Sequence, residues 1–96
     1  MKTVQRTAHF DRWLRRLRDD KAKQKIAARL DRLEAGNPGD HRHLGGRLSE
    51  MRIDYGPGYR IYWTERGDTV VLLLCGGDKT SQHDDIARAR EMIKEL

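Results

Sequence analysis

The apolar residues of the chain recur at helical spacing twice near its start and once at its end. Within each set the residues lie at helical spacings such as i, i+3, i+4 and i+7, so each set forms one stripe along a helix. The three stripes are Phe10, Trp13, Leu14 and Leu17; Ala22, Ile26, Leu30 and Leu33; and Ile86, Ala89, Ile93 and Leu96. Thr7 is placed to cap the first helix, and Gly36-Asn37-Pro38-Gly39 ends the second. Ser81 and Asp84 have the spacing of a capping box for the third helix.

The remaining apolar residues alternate or form short runs, which is typical of strands. The predicted strands cover about residues 1–6, 46–54, 59–65 and 69–76. Residues 36–46 are rich in glycine, histidine and charge and predict a loop. The last strand is apolar at both parities, so we expect it to be internal and covered on both faces. The order β-α-α-β-β-β-α predicts one α+β domain over residues 1–96, with a small, mainly antiparallel sheet packed against a helical hairpin and a C-terminal helix.

The segment Glu50–Ile61 predicts a β-hairpin that carries an arginine on each strand. A three-residue turn at Gly56-Pro57-Gly58 pairs Tyr55 with Tyr59. Because side chains alternate, one face carries Glu50, Arg52, Asp54, Arg60 and Tyr62, and the other carries Met51, Ile53, Tyr55, Tyr59, Ile61 and Trp63. Two arginines, a carboxylate and a phenol are costly to bury without partners, so we expect the first face to stay open for a polyanion such as nucleic acid. The second face is expected to pack against the helices.

Composition and charge narrow the class of protein. The chain is 36% apolar and 36% charged, with a net charge of +5. Residues 1–48 hold 13 Lys/Arg against 6 Asp/Glu. This basic half either attracts phosphates or an acidic protein partner, or is simply a solvated helix surface. The single cysteine excludes an internal disulfide, and the longest apolar run is too short to span a membrane, so we expect a cytoplasmic protein.

Three motifs of the second half carry a resemblance to a known family. They are Glu50-Met51-Arg52, Gly56-Pro57-Gly58-Tyr59-Arg60-Ile61-Tyr62 and Leu74-Cys75-Gly76-Gly77-Asp78-Lys79. With the element order, they make the chain resemble the RelE/ParE superfamily of bacterial toxins, most closely its HigB-like "addiction module killer" branch. The resemblance implies a growth-arresting toxin that cuts mRNA, usually on the ribosome. It also implies neutralisation by a cognate antitoxin, expected to be of helix-turn-helix type, in a complex that can bind operator DNA.

The resemblance implies a metal-free endoribonuclease whose cationic residues are Arg52, Arg60 and Lys79. A 2′-hydroxyl attacks the adjacent phosphate, and preorganised cations stabilise the charge that grows on the phosphoryl and leaving oxygens. Guanidinium groups suit the clamp role because they bind two phosphate oxygens and stay protonated. Glu50 either accepts the 2′-proton or orients Arg52, and Lys79 either protonates the leaving oxygen or acts electrostatically.

Two further residues are candidates for contacts with substrate. Several members of the family carry a tyrosine or histidine near the C-terminus, and this chain ends in a helix without either. His83 is the nearest substitute, either in an acid/base role or as an exposed surface residue. Tyr62 shares the cationic face and is a candidate contact for a base or phosphate.

No metal and no cofactor are expected. His41 and His43 lack the paired spacing of a zinc site, and Cys75 lies in a strand predicted to be buried. The segment Gly76-Gly77-Asp78-Lys79-Thr80 lacks the full pattern of a phosphate-binding loop.

Two other functions remain open on the sequence. One is a ParE-like inhibitor that binds DNA gyrase without cutting RNA. The other is a role mainly within a repressor complex, where an acidic or amphipathic antitoxin segment docks on the first two helices or on the open sheet face.

Overall fold

The computed structural model describes all residues from 1 to 96 and contains three helices and one five-stranded sheet. The elements are β1 Thr3–Arg6, α1 Ala8–Arg16, α2 Asp20–Glu34, β2 His41–Gly45, β3 Leu48–Ile53, β4 Tyr59–Arg66, β5 Val70–Asp78 and α3 Gln82–Lys94. The strand order is β1-β5-β4-β3-β2, with β1 parallel to β5 and every other neighbouring pair antiparallel. The predicted α+β class is confirmed. None of the helices has the length and apolar content that a bilayer crossing requires.

The two N-terminal helices begin at side-chain caps and cover one face of the sheet. The Thr7 hydroxyl accepts a hydrogen bond from the Phe10 amide, and the Asp19 carboxylate accepts bonds from the first-turn amides of α2. The predicted stripes then meet the sheet in one cluster. Its buried members are Phe10, Ala22, Ile26, Leu30, Leu33, Met51, Ile53, Tyr59, Ile61, Trp63, Val71 and Leu73. The apolar face of the predicted hairpin is therefore confirmed as core.

The opposite face of the sheet is covered by α3. A second cluster contains Leu48, Tyr62, Leu74, Cys75 and Ala89. Strand β5 lies between β1 and β4 and contributes residues to both clusters. Its uninterrupted apolar run is explained by this position, as predicted. Leu96, predicted to extend the stripe of α3, lies beyond the helix and is exposed, so that detail was wrong.

Strand β2 was missed, because residues 36–46 had been predicted as a loop. His41–Gly45 pairs with β3 at the outer edge of the sheet, and four of its five residues are exposed. Because most residues of this edge strand are exposed, it shows no alternation of apolar and polar residues.

The hairpin turn is longer than predicted. Regular pairing ends at Ile53 and Tyr59, not at Tyr55 and Tyr59. The connection bends by a hydrogen bond from the Gly58 amide to the Tyr55 carbonyl, and Gly58 has a φ of 82° that favours glycine. The register differs from the predicted one by two residues, and an even shift leaves every side chain on its predicted face.

The start of α3 also differs from prediction. The Ser81 hydroxyl makes no capping bond to the helix; it donates to the Asp85 carboxylate and accepts from the Asp78 amide. The Asp78 carboxylate in turn accepts from Thr80 and from the Ser81 amide. These bonds lower the pKa of Asp78, and the bond from the Thr80 side chain contributes most. The predicted capping box with Asp84 is therefore wrong.

Candidate functional site

Four residues stand in a row across the strands at one end of the sheet. Arg52 of β3 pairs directly with Arg60 of β4, and Arg60 pairs with Gly77 of β5. His41 is opposite Met51, so Asp40, just before β2, comes level with Arg52. Directly opposed residues project from the same face at about 5 Å between Cβ atoms, and like charges in such pairs are destabilising. The fold therefore places two arginines at directly opposed positions on one face of the sheet, at a cost in stability.

Three of these four residues, Asp40, Arg52 and Arg60, line a cavity of about 290 Å³. Its lining consists of Asp40, Arg52, Ile53, Asp54, Gly58, Arg60 and Lys79. Lys79 reaches it from just beyond the end of β5, and Gly58 lies beside the Lys79 Cβ atom. Three cations that the sequence predicted as a set thus share one cavity. We call it the arginine cavity.

Positive charge in the arginine cavity is only partly balanced. A guanidinium nitrogen of Arg52 lies 3.1 Å from an Asp40 carboxylate oxygen, with both side chains about half exposed. Arg60 forms no ion pair, and its Nε is buried without a hydrogen-bond acceptor. An anion bound by the two arginines would offset their repulsion.

Arg29 of α2 holds the Asp40 side of the cavity in place. Its guanidinium donates to the Arg52 carbonyl at 2.6 Å and to the carbonyls of Pro38 and Asp40 at 3.0 Å. Burial, with a smaller contribution from Arg32, lowers the pKa of Arg29. Because one side chain ties the segment before β2 to the end of β3, Arg29 fixes the position of Asp40 relative to Arg52.

Glu50 and Tyr62 do not face the arginine cavity, contrary to the expectation of an open face. Both are fully buried beneath α3. The Glu50 carboxylate accepts hydrogen bonds from Arg42 Nε at 2.9 Å and from Gln82 Nε2 at 2.8 Å. It therefore ties together β3, β2 and α3. Neither side chain is accessible for the proton transfer or substrate contact expected of it.

The Tyr62 hydroxyl makes no hydrogen bond of good geometry, although it lies close to the Glu50 carboxylate. Burial and that nearby negative charge raise the pKa of Tyr62. An unsatisfied buried hydroxyl destabilises the fold, because it loses its bonds to water without replacing them.

His83 lies in the first turn of α3 and is exposed. It lines no cavity of the protein. The structure thus brings together Arg52, Arg60 and Lys79, and leaves the other predicted site residues outside the cavity they form.

The sequence did not identify Asp40 as a member of the site, or Arg29 as its support. Asp40 could have been identified only if β2 had been predicted as a strand, because the position of Asp40 follows from the pairing of β2 with β3. Asp54 was placed on the correct face by alternation, and the structure adds that it lines the same cavity. The two carboxylates line the same cavity as the three cations.

Comparisons with known proteins give one family and one relative. The family described as Phage derived protein Gp49-like (DUF891) matches residues 12–94. A protein of Haemophilus influenzae (strain ATCC 51907 / DSM 11121 / KW20 / Rd), described as uncharacterized, is 44% identical over 93 residues, which cover 97% of this chain and 94% of the relative. No solved structure matches the chain.

Proposed function

The chain belongs to the Gp49-like family of phage-derived proteins, and on this premise we propose that it is the toxin of a bacterial toxin–antitoxin module and cleaves mRNA without a metal ion. The family consists of toxin-like proteins that often occur in such modules. The observation that carries the proposal is the arginine cavity, in which Arg52, Arg60 and Lys79 surround a space open to an anion. The resemblance to RelE/ParE toxins supports the same reaction.

The proposed reaction is an internal transfer within RNA. The 2′-oxygen forms a bond to the adjacent phosphorus, the bond from phosphorus to the 5′-oxygen breaks, and the products carry a 2′,3′-cyclic phosphate and a 5′-hydroxyl. Arg52 and Arg60 bind the non-bridging oxygens, where charge grows in the transition state. Lys79 stabilises or protonates the departing 5′-oxygen.

A carboxylate of the cavity is the proposed acceptor of the 2′-proton. Glu50 is buried and engaged with Arg42 and Gln82, so we assign this role to Asp40 or Asp54 instead. A phosphate that binds Arg52 competes with Asp40 for the guanidinium. Asp40 is then released beside the reacting nucleotide, within reach of a proton.

Expression in a bacterial host tests the proposal. We expect growth arrest by the wild-type protein, and its relief by Arg60→Ala and Lys79→Ala, because loss of one charge-stabilising donor lowers such rates by about 100-fold or more. Arg66→Ala and Lys94→Ala are matched controls, since both residues are exposed and outside the arginine cavity. If both site variants arrest growth as strongly as the controls do, the proposed nuclease is wrong.

We also propose a cognate antitoxin as partner, encoded beside this protein. The exposed arginines of α1 and the arginine cavity favour an acidic segment in that antitoxin. A ParE-like function makes a different prediction, namely inhibition of supercoiling by purified gyrase with cellular transcripts left intact. Supercoiling and transcript integrity measured in parallel distinguish the two activities.

A further inference from the structure

The largest cavity of the protein, of about 400 Å³, lies outside the arginine cavity, between α1 and the start of α3. Its lining includes His9, Arg12, Trp13, Arg16, Tyr59 and Arg88. We call it the helix cavity. Its volume is within the range of sites that bind small molecules or single residues of a polymer.

The local course of β5 creates this cavity. Strand β1 ends at Arg6, which pairs with Leu73, and Thr7 then bonds the carbonyls of Leu73 and Leu74. Beyond that point the outer edge of β5 has no neighbouring strand, and helices flank it instead. Gly76 allows the Trp13 ring to lie against the strand, because a Cβ atom there would overlap the ring. The next residue, Gly77, similarly leaves room for the Ser81 and Asp85 side chains.

The helix cavity has an excess of free positive charge. Arg12, Arg16 and Arg88 are exposed, and none of their guanidinium groups forms an ion pair or hydrogen bond. The carboxylates of Asp78 and Asp85, by contrast, already accept bonds from Thr80 and Ser81. Phosphate is therefore a better match for the free groups than a cation is.

Aromatic rings form the other part of the lining. Trp13 and Tyr59 meet edge to face, with ring centroids 6.3 Å apart, and Trp13 is only partly buried. Guanidinium groups beside an accessible aromatic ring are the combination that binds single-stranded RNA, since bases stack on the ring while phosphates pair with arginine. An acidic peptide would use the arginines but would leave the ring without a planar partner.

The two cavities adjoin at the end of the β4–β5 pair. Tyr59 pairs with Asp78, and both line the helix cavity. The adjacent residues Gly58 and Lys79 line the arginine cavity. The rims of the two cavities are therefore formed by residues adjacent in sequence, as neighbouring positions on one strand of RNA require.

We propose that the helix cavity is a second nucleotide subsite, which binds the base and phosphate of a nucleotide adjoining the cleaved bond of single-stranded RNA. This inference rests on the proposed nuclease function, because it assigns a neighbouring position of the same substrate. It names Arg12, Arg16 and Arg88 as phosphate contacts and Trp13 as the stacking surface.

The test is the affinity for 2′-O-methyl RNA oligomers, which cannot be cleaved at the 2′-oxygen, so that binding is separated from chemistry. Oligomers are lengthened one nucleotide at a time on either side. The variant is Arg12→Ala with Arg16→Ala, and the matched control is Arg15→Ala with Arg18→Ala, which removes the same charge from exposed positions outside the cavity. Unfolding curves of both variants exclude loss of the fold.

We expect one added nucleotide to raise the affinity of the control about tenfold, and that increase to be absent from the Arg12/Arg16 variant. Quenching of Trp13 fluorescence should accompany the same added nucleotide, since the other tryptophan, Trp63, is buried. Equal length dependence in variant and control would overturn the subsite and leave the nuclease proposal standing. Absence of any RNA binding by the wild-type protein would overturn both. Loss of binding to the cognate antitoxin, with RNA affinity unchanged, would assign the helix cavity to the protein partner and would also overturn the subsite.

Discussion

Replacing Arg60 by methionine should make the protein more stable while abolishing its proposed activity. Methionine has a similar length and apolar stem, so it retains packing on the sheet and removes only the charged head. The substitution eliminates two unfavourable features at once. One is the direct pairing of Arg60 with Arg52, and the other is the buried Nε of Arg60 that has no acceptor.

The size of the gain can be worked from these two features. If the two charges were as close as the Cβ atoms of a directly opposed pair, about 5 Å, they would repel by at most roughly 3 kcal/mol at an effective dielectric constant of about 20. Arg52 is 48% exposed and is paired with Asp40, so we reduce the repulsion to about 1 kcal/mol or less, the range measured for cross-strand pairs. The unsatisfied Nε adds about 1 kcal/mol. The free energy of unfolding should therefore rise by about 1–2 kcal/mol, which for a domain of this size is a Tm increase of about 5–10 °C.

Thermal and urea unfolding at several salt concentrations measure this change. The gain should shrink as salt rises to about 1 M, because the Debye length falls from about 10 Å at 0.1 M to about 3 Å. Inorganic phosphate should stabilise the wild-type protein, by about 1.4 kcal/mol at ten times its Kd, and should have less effect on Arg60→Met. Arg66→Met, at the exposed end of the same strand, is the control and should change stability by less than about 0.5 kcal/mol.

A lower stability of Arg60→Met than of the control would refute this reasoning. It would mean that Arg60 has a stabilising partner in the folded protein and that Arg52 and Arg60 do not form an unoccupied anion-binding site.

Three other substitutions test the parts of the structure around the site. Tyr62→Phe should raise stability at neutral pH by about 1 kcal/mol, because it removes the buried hydroxyl without a hydrogen-bond partner. Because the pKa of Tyr62 is raised in the folded protein, the unfolded chain ionises first, and wild-type stability should fall above about pH 10. An equal fall in Tyr62→Phe would contradict this role of Tyr62. Glu50→Gln should lower the free energy of unfolding, measured by urea denaturation, by about 1–2 kcal/mol, because residue 50 loses part of its bonding to Arg42 and Gln82. The control is Glu65→Gln at an exposed position, and an equal effect of the two substitutions would contradict a stabilising role of Glu50. Gly76→Ala should cost about 1–3 kcal/mol through overlap with the Trp13 ring, and the cost should largely vanish when Trp13 is also alanine, as a double-mutant cycle would measure.

The helices and the faces of the hairpin were predictable because each depends on a local pattern. The stripe of α2, from Ala22 to Leu33, required only spacing, and all four of its residues are buried. The two faces of β3 and β4 were assigned correctly even though the turn was wrong, because the error in register was two residues. Alternation is thus more robust than turn geometry in this chain.

The parts that failed depend on partners distant in sequence or on the backbone alone. Glu50 and Tyr62 are polar, so alternation predicted that their face would be open. Their burial depends on α3, and the bond from Gln82 to Glu50 joins residues 32 positions apart. Asp40 was missed for a related reason, since it joins the site through β2, a strand without an apolar face. Local patterns indicated the face from which the cations project. They could not indicate that α3 covers Glu50 and Tyr62 on the same face.

The most direct test of the central claim is the chemistry of RNA ends after expression of the protein. Primer extension locates the cuts, and enzymatic phosphorylation with and without prior phosphatase treatment identifies the group at each new 5′-end. Transfer to a 2′-oxygen at the arginine cavity predicts 5′-hydroxyl ends that appear with the wild-type protein and the Arg66→Ala control and are lost with Arg60→Ala. Fragments with 5′-phosphate ends, fragments that persist undiminished in Arg60→Ala, or intact transcripts during growth arrest would contradict it.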